Sequence, residues 1–425
     1  MESIYEKDQQ LILHPFTPYQ QRKHVIPLSH GKGAKLYDID GNEYIDAIAS
    51  WWVNLHGHCH PYINEKIAGQ LQQLEHVIFS GFTHEPAVNL AERLLHHLGN
   101  PYEQLFYSDN GSTSVEVAIK MAVQFWKNQG ENRKTFIAFE NAYHGDTFGA
   151  MAVSERDVFT QAFTEYLFEV EQIPIPTREN IDEIELHLIK LLETGQVAAF
   201  IFEPLVQGAG GMRMYEANLL NRLITICKSR NVLTIADEVM TGFYHTGTMF
   251  AIDQLIEKPD FCCLSKGLTG GYLPLGVTAF STKIAQAFRS EDTAKTFYHG
   301  HSFTANPISC TAALASLDLI ELQSTVTSIE RIHSKHLSVL PSIIELENVE
   351  NVRVKGVIMA LDVVSEHKDY FYNDPLKIRM YEACMKKGVL IRPLGNVVYV
   401  LPPYCITDDE LEKVYDAIIQ SIKAL

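Results

Sequence analysis

The feature that most limits how this chain can fold is a succession of short, continuously apolar runs in its middle, separated by stretches with helical periodicity. The runs fall at 104–108, 135–139, 198–203, 232–237, 261–264 and 277–281. None alternates apolar with polar residues, as a strand with one wet face would; a strand covered by helices on both sides need not. Such alternation of strands and helices points to an α/β fold with a largely parallel sheet. Helical periodicity is clearest over 115–126, where Val115, Ala118, Ile119, Ala122 and Trp126 share one face. Thr113, followed three residues later by Glu116, reads as the capping pair that opens this helix.

The two ends of the chain read differently. Residues 1–60 are broken by turns and hold a hairpin-like segment, 36–45, with a tight turn at Asp40-Gly41. Towards the C-terminus, strands expected at 352–361 and 397–401 mix with two helices, an α+β pattern. A chain of 425 residues accommodates one large domain and one smaller. The expected division is a large domain over 61–325 and a smaller one assembled from 1–60 and 326–425.

Charge and cysteine usage narrow the function. The chain has 35 basic against 52 acidic side chains, a net charge of −17, which excludes an unspecific nucleic-acid binder. Its seven cysteines form no C-x-x-C pair, so neither a disulfide framework nor a zinc ribbon is expected, and a reducing compartment is. Residues 1–10 show no signal-peptide core, and no apolar run is long enough to span a membrane. The expectation is a cytoplasmic protein with no nucleic-acid or membrane partner and no metal.

The most informative single position is Lys266, which follows the run 261–264 and precedes small residues, Gly267 and Gly270-Gly271. A lysine at the end of a buried strand, with room around it, suits a Schiff-base role; by itself it reads more readily as a solvated loop lysine, since most lysines are solvated. Asp237 shifts that balance, because it also ends an apolar run. Ligands bind at the carboxyl edge of open α/β sheets. Pyridoxal phosphate requires a carboxylate against its ring nitrogen, so that the protonated ring can accept electrons. A phosphate cradle is offered by Gly111, Ser112 and Thr113 at the start of a helix. Tyr143, after the run 135–139, offers an aromatic cover for the ring.

At this point the chain resembles the class III, ornithine-type pyridoxal-phosphate aminotransferases of fold type I over essentially its whole length. The matching stretches are Ser50-Trp51-Trp52 with His56-Gly57, the segment 141–149 around Tyr143, and Gln207-Gly208-Ala209-Gly210-Gly211-Met212-Arg213-Met214. Ala236-Asp237-Glu238 with Thr241-Gly242-Phe243, and Ile391-Arg392-Pro393, complete the set. The Trp-Trp pair, the glycine-rich run and the late Arg-Pro are most similar to the biotin-pathway branch of the family. That likeness implies 8-amino-7-oxononanoate as amino acceptor.

The resemblance also implies roles. Lys266 would hold the cofactor and then shuttle the proton, Asp237 would pair with the ring nitrogen, and Val239 would pack on the ring face opposite Tyr143. Gly111 and Ser112 would bind the phosphate, joined by His301 and Ser302 from a second subunit, which makes a homodimer the expected assembly. Glu203 would sit above the cofactor near Asp237. Trp51, Tyr143 and Gly300 would line the substrate pocket, and Arg392 would take the substrate carboxylate in a bidentate pair.

Three positions depart from the family pattern: Phe16 stands where the family has Tyr, His245 where it has Arg, and His301-Ser302 where it has Pro-Thr. Phe16, a pocket residue, and His245 lie where the amino donor is expected to enter, so lysine stands as an alternative to S-adenosylmethionine, the donor that the resemblance implies. Transamination of ornithine or 4-aminobutyrate, and a non-catalytic regulator that keeps the fold, are the rival functions. The cluster His56, His58, Cys59 and His60 invites a metal reading, but falls in a stretch already assigned to the pocket wall. The glycines 208–211 lack the G-x-G-x-x-G spacing of a dinucleotide loop.

Overall fold

A computed structural model describes residues 3–19, 25–365 and 374–425. A seven-stranded sheet runs through its centre, with strands in the order Tyr102–Ser108, Gly276–Ser281, Phe261–Leu264, Leu233–Asp237, Val197–Phe202, Thr135–Phe139 and Val170–Ile173. Neighbours run parallel except where Gly276–Ser281 lies antiparallel to both strands beside it. This is the expected α/β fold. All six expected runs are strands, and the five inside the sheet read as apolar runs because both faces are covered, while Tyr102–Ser108 at the edge keeps Gln104 exposed. Phe136, Ala138, Ile201, Leu233 and Ile235 pack with the helix Gly111–Asn128. Their neighbours Ile137, Phe139, Phe200, Phe202 and Ala236 join a core with the helices Ile181–Glu193 and Ala217–Ser229. The strand Val170–Ile173 escaped the sequence reading because it is an edge strand, half polar and only partly buried.

Two local expectations are corrected. The long helix begins at Gly111, and its cap is Asn110, whose side chain accepts the N–H of Thr113 at 2.9 Å while Thr113 Oγ1 accepts the N–H of Asn110 at 3.1 Å. Glu116, one turn further in, is out of reach of that cap. It accepts the N–H groups of Gly149 and Ala150 instead, at 2.6 and 3.2 Å, and so pins the segment that follows Tyr143. The single strand expected at 352–361 is two, Val349–Lys355 and Ile358–Val363, paired antiparallel across a turn at Gly356, which has φ +55°. A Cβ there would run into the backbone of residues 245–247.

A four-stranded sheet joins distant parts of the chain. Leu28–Lys32, Lys35–Asp38 and Glu43–Asp46 follow one another antiparallel, and Val389–Leu390 pairs parallel with Glu43–Asp46. The Asp40-Gly41 turn lies between the second and third strands, with Gly41 at φ +87° and the Asp38 carboxylate accepting the N–H groups of Asp40 and Asn42. Residues just after Asp46 therefore emerge beside residues just after Leu390, which matters for the site.

Candidate active site

The parallel strands deliver their chemistry at one edge. Asp237 is the last residue of Leu233–Asp237, Glu203 follows Val197–Phe202, and Lys266 comes two residues after Phe261–Leu264. Tyr143 follows Thr135–Phe139, and Gly111 opens the helix after Tyr102–Ser108. These are carboxyl ends, where such sheets bind ligands. A cavity of about 420 Å³ opens there, and Gly111, Ser112, Tyr143, Glu203, Asp237, Val239 and Lys266 all line it.

Asp237 is buried and held from two sides. His144 Nδ1–H donates to its Oδ2 at 2.7 Å, and the N–H of Val239 donates to Oδ1 at 3.1 Å. His144 is itself fixed by its backbone N–H, which donates to Ser154 Oγ at 2.9 Å. Glu203, also buried, accepts the N–H of Tyr143 at 3.2 Å and of Gly208 at 2.8 Å. Burial, opposed by His144 and reinforced by Asp237, pushes its carboxyl up to about 7. Tyr143 donates its hydroxyl to Asp146 Oδ2 at 2.9 Å; burial, with Asp146 adding to it, pushes the pKa of the phenol up. Lys266 places Nζ 4.4 Å from the centre of the Trp52 ring. Burial brings its amine down to about 8, against the opposing pull of Asp237 and Glu203.

Pyridoxal phosphate fits what is present. At the helix start, a Cβ built on Gly111 would stand 2.6 Å from Val239 Cγ1, so only glycine leaves the cradle open. Ser112 Oγ sits over that helix end and accepts the N–H of Asp146 at 3.1 Å. The N-terminus of an 18-residue helix is a natural anion site, and it complements the phosphate in a protein of net charge −17. A buried carboxylate, Asp237, and a buried amine, Lys266, flank the same space. Among the described residues His144 Nε2 is buried without a hydrogen-bond partner.

The tryptophan pair is built on unusual backbone. Ala49, Ser50, Trp51 and Trp52 all have positive φ, at 46°, 46°, 73° and 70°, a left-handed turn made entirely of L-residues. Such backbone costs roughly 1–2 kcal/mol per residue. Trp52 faces the Lys266 cavity and donates its indole N–H to Tyr399 OH at 3.0 Å. Trp51 faces a second cavity of about 400 Å³, also lined by Phe16 and Arg392. There the Arg392 guanidinium lies 4.2 Å from the centre of the Trp51 ring, and Phe16 meets that ring edge-on at 5.4 Å. Phe159 contacts both Phe16, at 5.5 Å, and Tyr143, at 6.3 Å, so an aromatic chain links the two cavities. Lys377 also lines the second cavity; burial and the neighbouring Arg392 bring its amine down to about 8.

Not every expected residue is brought in. Gly300, His301 and Ser302 line neither cavity of this chain. They belong to a loop that also exposes Tyr298 and Phe303. His245 lines neither cavity either: it is buried, with Nδ1 2.6 Å from the Met240 carbonyl oxygen, and burial brings its pKa down to about 4. Its expected place at the donor entrance is thereby corrected; the side chain turns into the core, where a charged head would be unpaired. Of the histidines at 56–60, His56 Nε2 lies 2.9 Å from Ser316 Oγ and His58 Nε2–H donates to Asp46 at 3.0 Å. Sequence reading took Trp52 only as one of the tryptophan pair and gave His144 no role, although it adjoins Tyr143. No signal in the sequence pointed to Lys377 or Asp46.

Comparison with known proteins agrees with this geometry. Residues 17–422 match the family model described as aminotransferase class-III. A protein of Synechococcus elongatus named adenosylmethionine-8-amino-7-oxononanoate aminotransferase is 48% identical over 412 residues, covering 95% of this chain and 96% of that one. The crystal structure of the enzyme of the same name from Methanocaldococcus jannaschii superposes with a TM-score of 0.93 at 35% identity, covering 99% of this chain and 98% of the other. An amine transaminase from an uncultivated Pseudomonas species, crystallised in its PLP-bound form, has a TM-score of 0.89 at 31% identity, covering 97% and 98%.

Proposed function

We propose, from the premise that this chain belongs to the class III aminotransferases, that it transfers an amino group to 8-amino-7-oxononanoate and yields 7,8-diaminononanoate. The enzyme is a pyridoxal-phosphate-dependent transaminase. The observation that carries the choice of acceptor is the second cavity, where Arg392 stacks on Trp51 inside a largely apolar wall. A long aliphatic acid with its ketone far from its carboxylate matches a cationic anchor set apart from the lysine. Small polar ω-amino acids make poor use of the apolar wall.

Bound in the Lys266 cavity, the cofactor supplies an electron sink for the carbanion formed when a proton leaves the carbon beside the amine nitrogen. The chain's residues do the rest. Gly111 and Ser112 would take the phosphate at the helix N-terminus, and Asp237, aligned by His144, would face the ring nitrogen and favour its protonated form. Tyr143 and Val239, both in the cavity wall, would cover the two ring faces. The Lys266 amine, lowered towards neutral pH by burial, would take the proton from the carbon beside the amine nitrogen and hold it for return. Arg392 orients the acceptor through its carboxylate. Glu203, which lines the same cavity as Asp237, would sit above the cofactor.

His301 and Ser302 complete the phosphate site of a second copy in this reading, which makes the enzyme a homodimer; the exposed Tyr298 and Phe303 beside them support it. The donor is S-adenosylmethionine, with lysine the alternative, and Phe16 in the wall of the second cavity bears on the choice. The division into 61–325 and a smaller domain from 1–60 and 326–425 belongs to the same reading, supported by the sheet that joins Glu43–Asp46 to Val389–Leu390. So does a cytoplasmic location, supported by seven cysteines that are all free. Among the described residues no helix is long and apolar enough to cross a membrane.

The deciding experiment gives the purified enzyme 8-amino-7-oxononanoate with S-adenosylmethionine and with lysine, beside 4-aminobutyrate with 2-oxoglutarate. Faster turnover of the last pair would overturn the proposed acceptor. Arg392→Ala should raise the acceptor KM by about a hundredfold, the effect of truncating one partner of a desolvated charge pair, and leave the donor half-reaction nearly unchanged. Equal losses in both halves would show that Arg392 does not serve the acceptor alone. A further expectation concerns pH. The base form of Lys266 grows as pH rises towards about 8, so a proton-transfer-limited single turnover should quicken by about tenfold per unit below that value and level off above it. A rate flat between neutral and alkaline pH would exclude Lys266 as the base.

A further inference from the structure

Asp46 touches neither cavity, yet both depend on what it holds. It ends the strand Glu43–Asp46 and its side chain is fully buried. Oδ1 accepts the N–H groups of Ile48 at 3.2 Å and Ser50 at 3.0 Å. Oδ2 accepts the Ser50 hydroxyl at 2.7 Å and His58 Nε2–H at 3.0 Å. His58 is fixed in turn by Asn54 Nδ2, which donates to its Nδ1 at 2.9 Å, and by its backbone N–H, which donates to the Gly33 carbonyl at 2.8 Å. One carboxylate thus gathers four donors around the left-handed turn 49–52.

That turn is strained at every residue, and it sends consecutive indoles into different cavities: Trp51 under Arg392 and Trp52 beside Lys266. Backbone of this kind persists only where its surroundings over-determine it. We propose that Asp46 is a positioning residue, whose carboxylate holds the left-handed turn and thereby sets Trp51 against Arg392 and Trp52 against Lys266. Without the clamp the turn relaxes towards ordinary backbone and both indoles move. Ser50 and His58 are its two side-chain partners; neither lines the Lys266 cavity, and Ser50 lines the second cavity beside Trp51, which is why the reversal by Ala49→Gly and not the KM rise alone decides the test.

The test uses the holoenzyme and its Asp46→Asn variant, with and without Ala49→Gly, because glycine adopts positive φ freely and can hold the turn unaided. Asp46→Asn should change the near-ultraviolet circular dichroism of the indoles. It should also raise the acceptor KM by about tenfold or more, the scale of losing a charged hydrogen bond, with a smaller fall in kcat. Adding Ala49→Gly should restore most of both. A purely structural role would lower the thermal midpoint and active fraction together, at constant KM and without rescue by glycine, and that result would overturn the proposal. If Asp46→Asn does not fold, Ser50→Ala decides: a KM rise of about threefold or more, reversed by Ala49→Gly, supports the clamp, and an unchanged KM refutes it. The kinetic arm rests on the acceptor proposed above. Should the parent enzyme fail to aminate 8-amino-7-oxononanoate, that reading falls, while dichroism and its rescue still judge the clamp.

Discussion

Lys266→Ala should fold, bind pyridoxal phosphate without a covalent bond, and lose about 10²–10⁴-fold in the proton-transfer step, the range for removing a positioned general base. Single turnovers of the donor half-reaction measure this directly, and borohydride should no longer attach the cofactor to the chain. Small primary amines added to the variant should recover part of the rate, since the cavity that held the side chain remains. The same substitution should raise the thermal midpoint of the cofactor-free protein. The folded state holds the Lys266 proton more weakly, near pH 8 against an ordinary 10.5, so burying this charge costs of the order of 3 kcal/mol at neutral pH. That cost shrinks as pH climbs from about 8 towards 10.5, and the alanine variant should lack this dependence. Steady turnover by Lys266→Ala at the parent rate would end the assignment.

Asp237 has the second largest expected effect, and two substitutions separate its charge from its hydrogen bonds. Asp237→Asn keeps an oxygen for His144 Nδ1–H, so it should fold, while losing the negative charge that favours a protonated cofactor ring. Its kcat should fall by about 10²–10³-fold, the scale of one preorganised electrostatic contact. Asp237→Ala also removes both acceptors in a buried site, leaving His144 Nδ1 and the N–H of Val239 unpaired. It should therefore lose about 1–3 kcal/mol of stability for each orphaned donor as well as activity. Thermal melts beside half-reaction kinetics distinguish the two. An asparagine variant with full kcat would remove Asp237 from the chemistry.

How much of this was legible depended on how local the signal is. Leu233–Asp237 and Val197–Phe202 were readable because a strand buried on both faces has no choice but to be apolar. Val170–Ile173 was not, because an edge strand answers to solvent. The helix after Tyr102–Ser108 was plain from its periodicity, but its cap was misread: Thr113 and Glu116 satisfy a spacing rule, whereas Asn110 wins in space. Lys266, Asp237 and Tyr143 stood out because each follows an apolar run. His245 shows the opposite case, a motif position whose side chain turns into the core once neighbours are placed.

By itself the amino-acid sequence determined that the chain forms an α/β sheet and that a lysine, an aspartate and a helix N-terminus meet at its carboxyl edge. Periodicity and strand ends are local properties, carried by residues close together along the chain. The tertiary structure alone decided that Val389–Leu390 pairs with Glu43–Asp46, which brings Arg392 onto Trp51 from more than half the chain away. It alone showed the left-handed turn that splits two adjacent tryptophans between two cavities, and the buried Asp46 that holds it. A positive φ on an alanine, a serine and two tryptophans has no signature in sequence, because the preference it violates is overcome by partners the chain reaches only when folded.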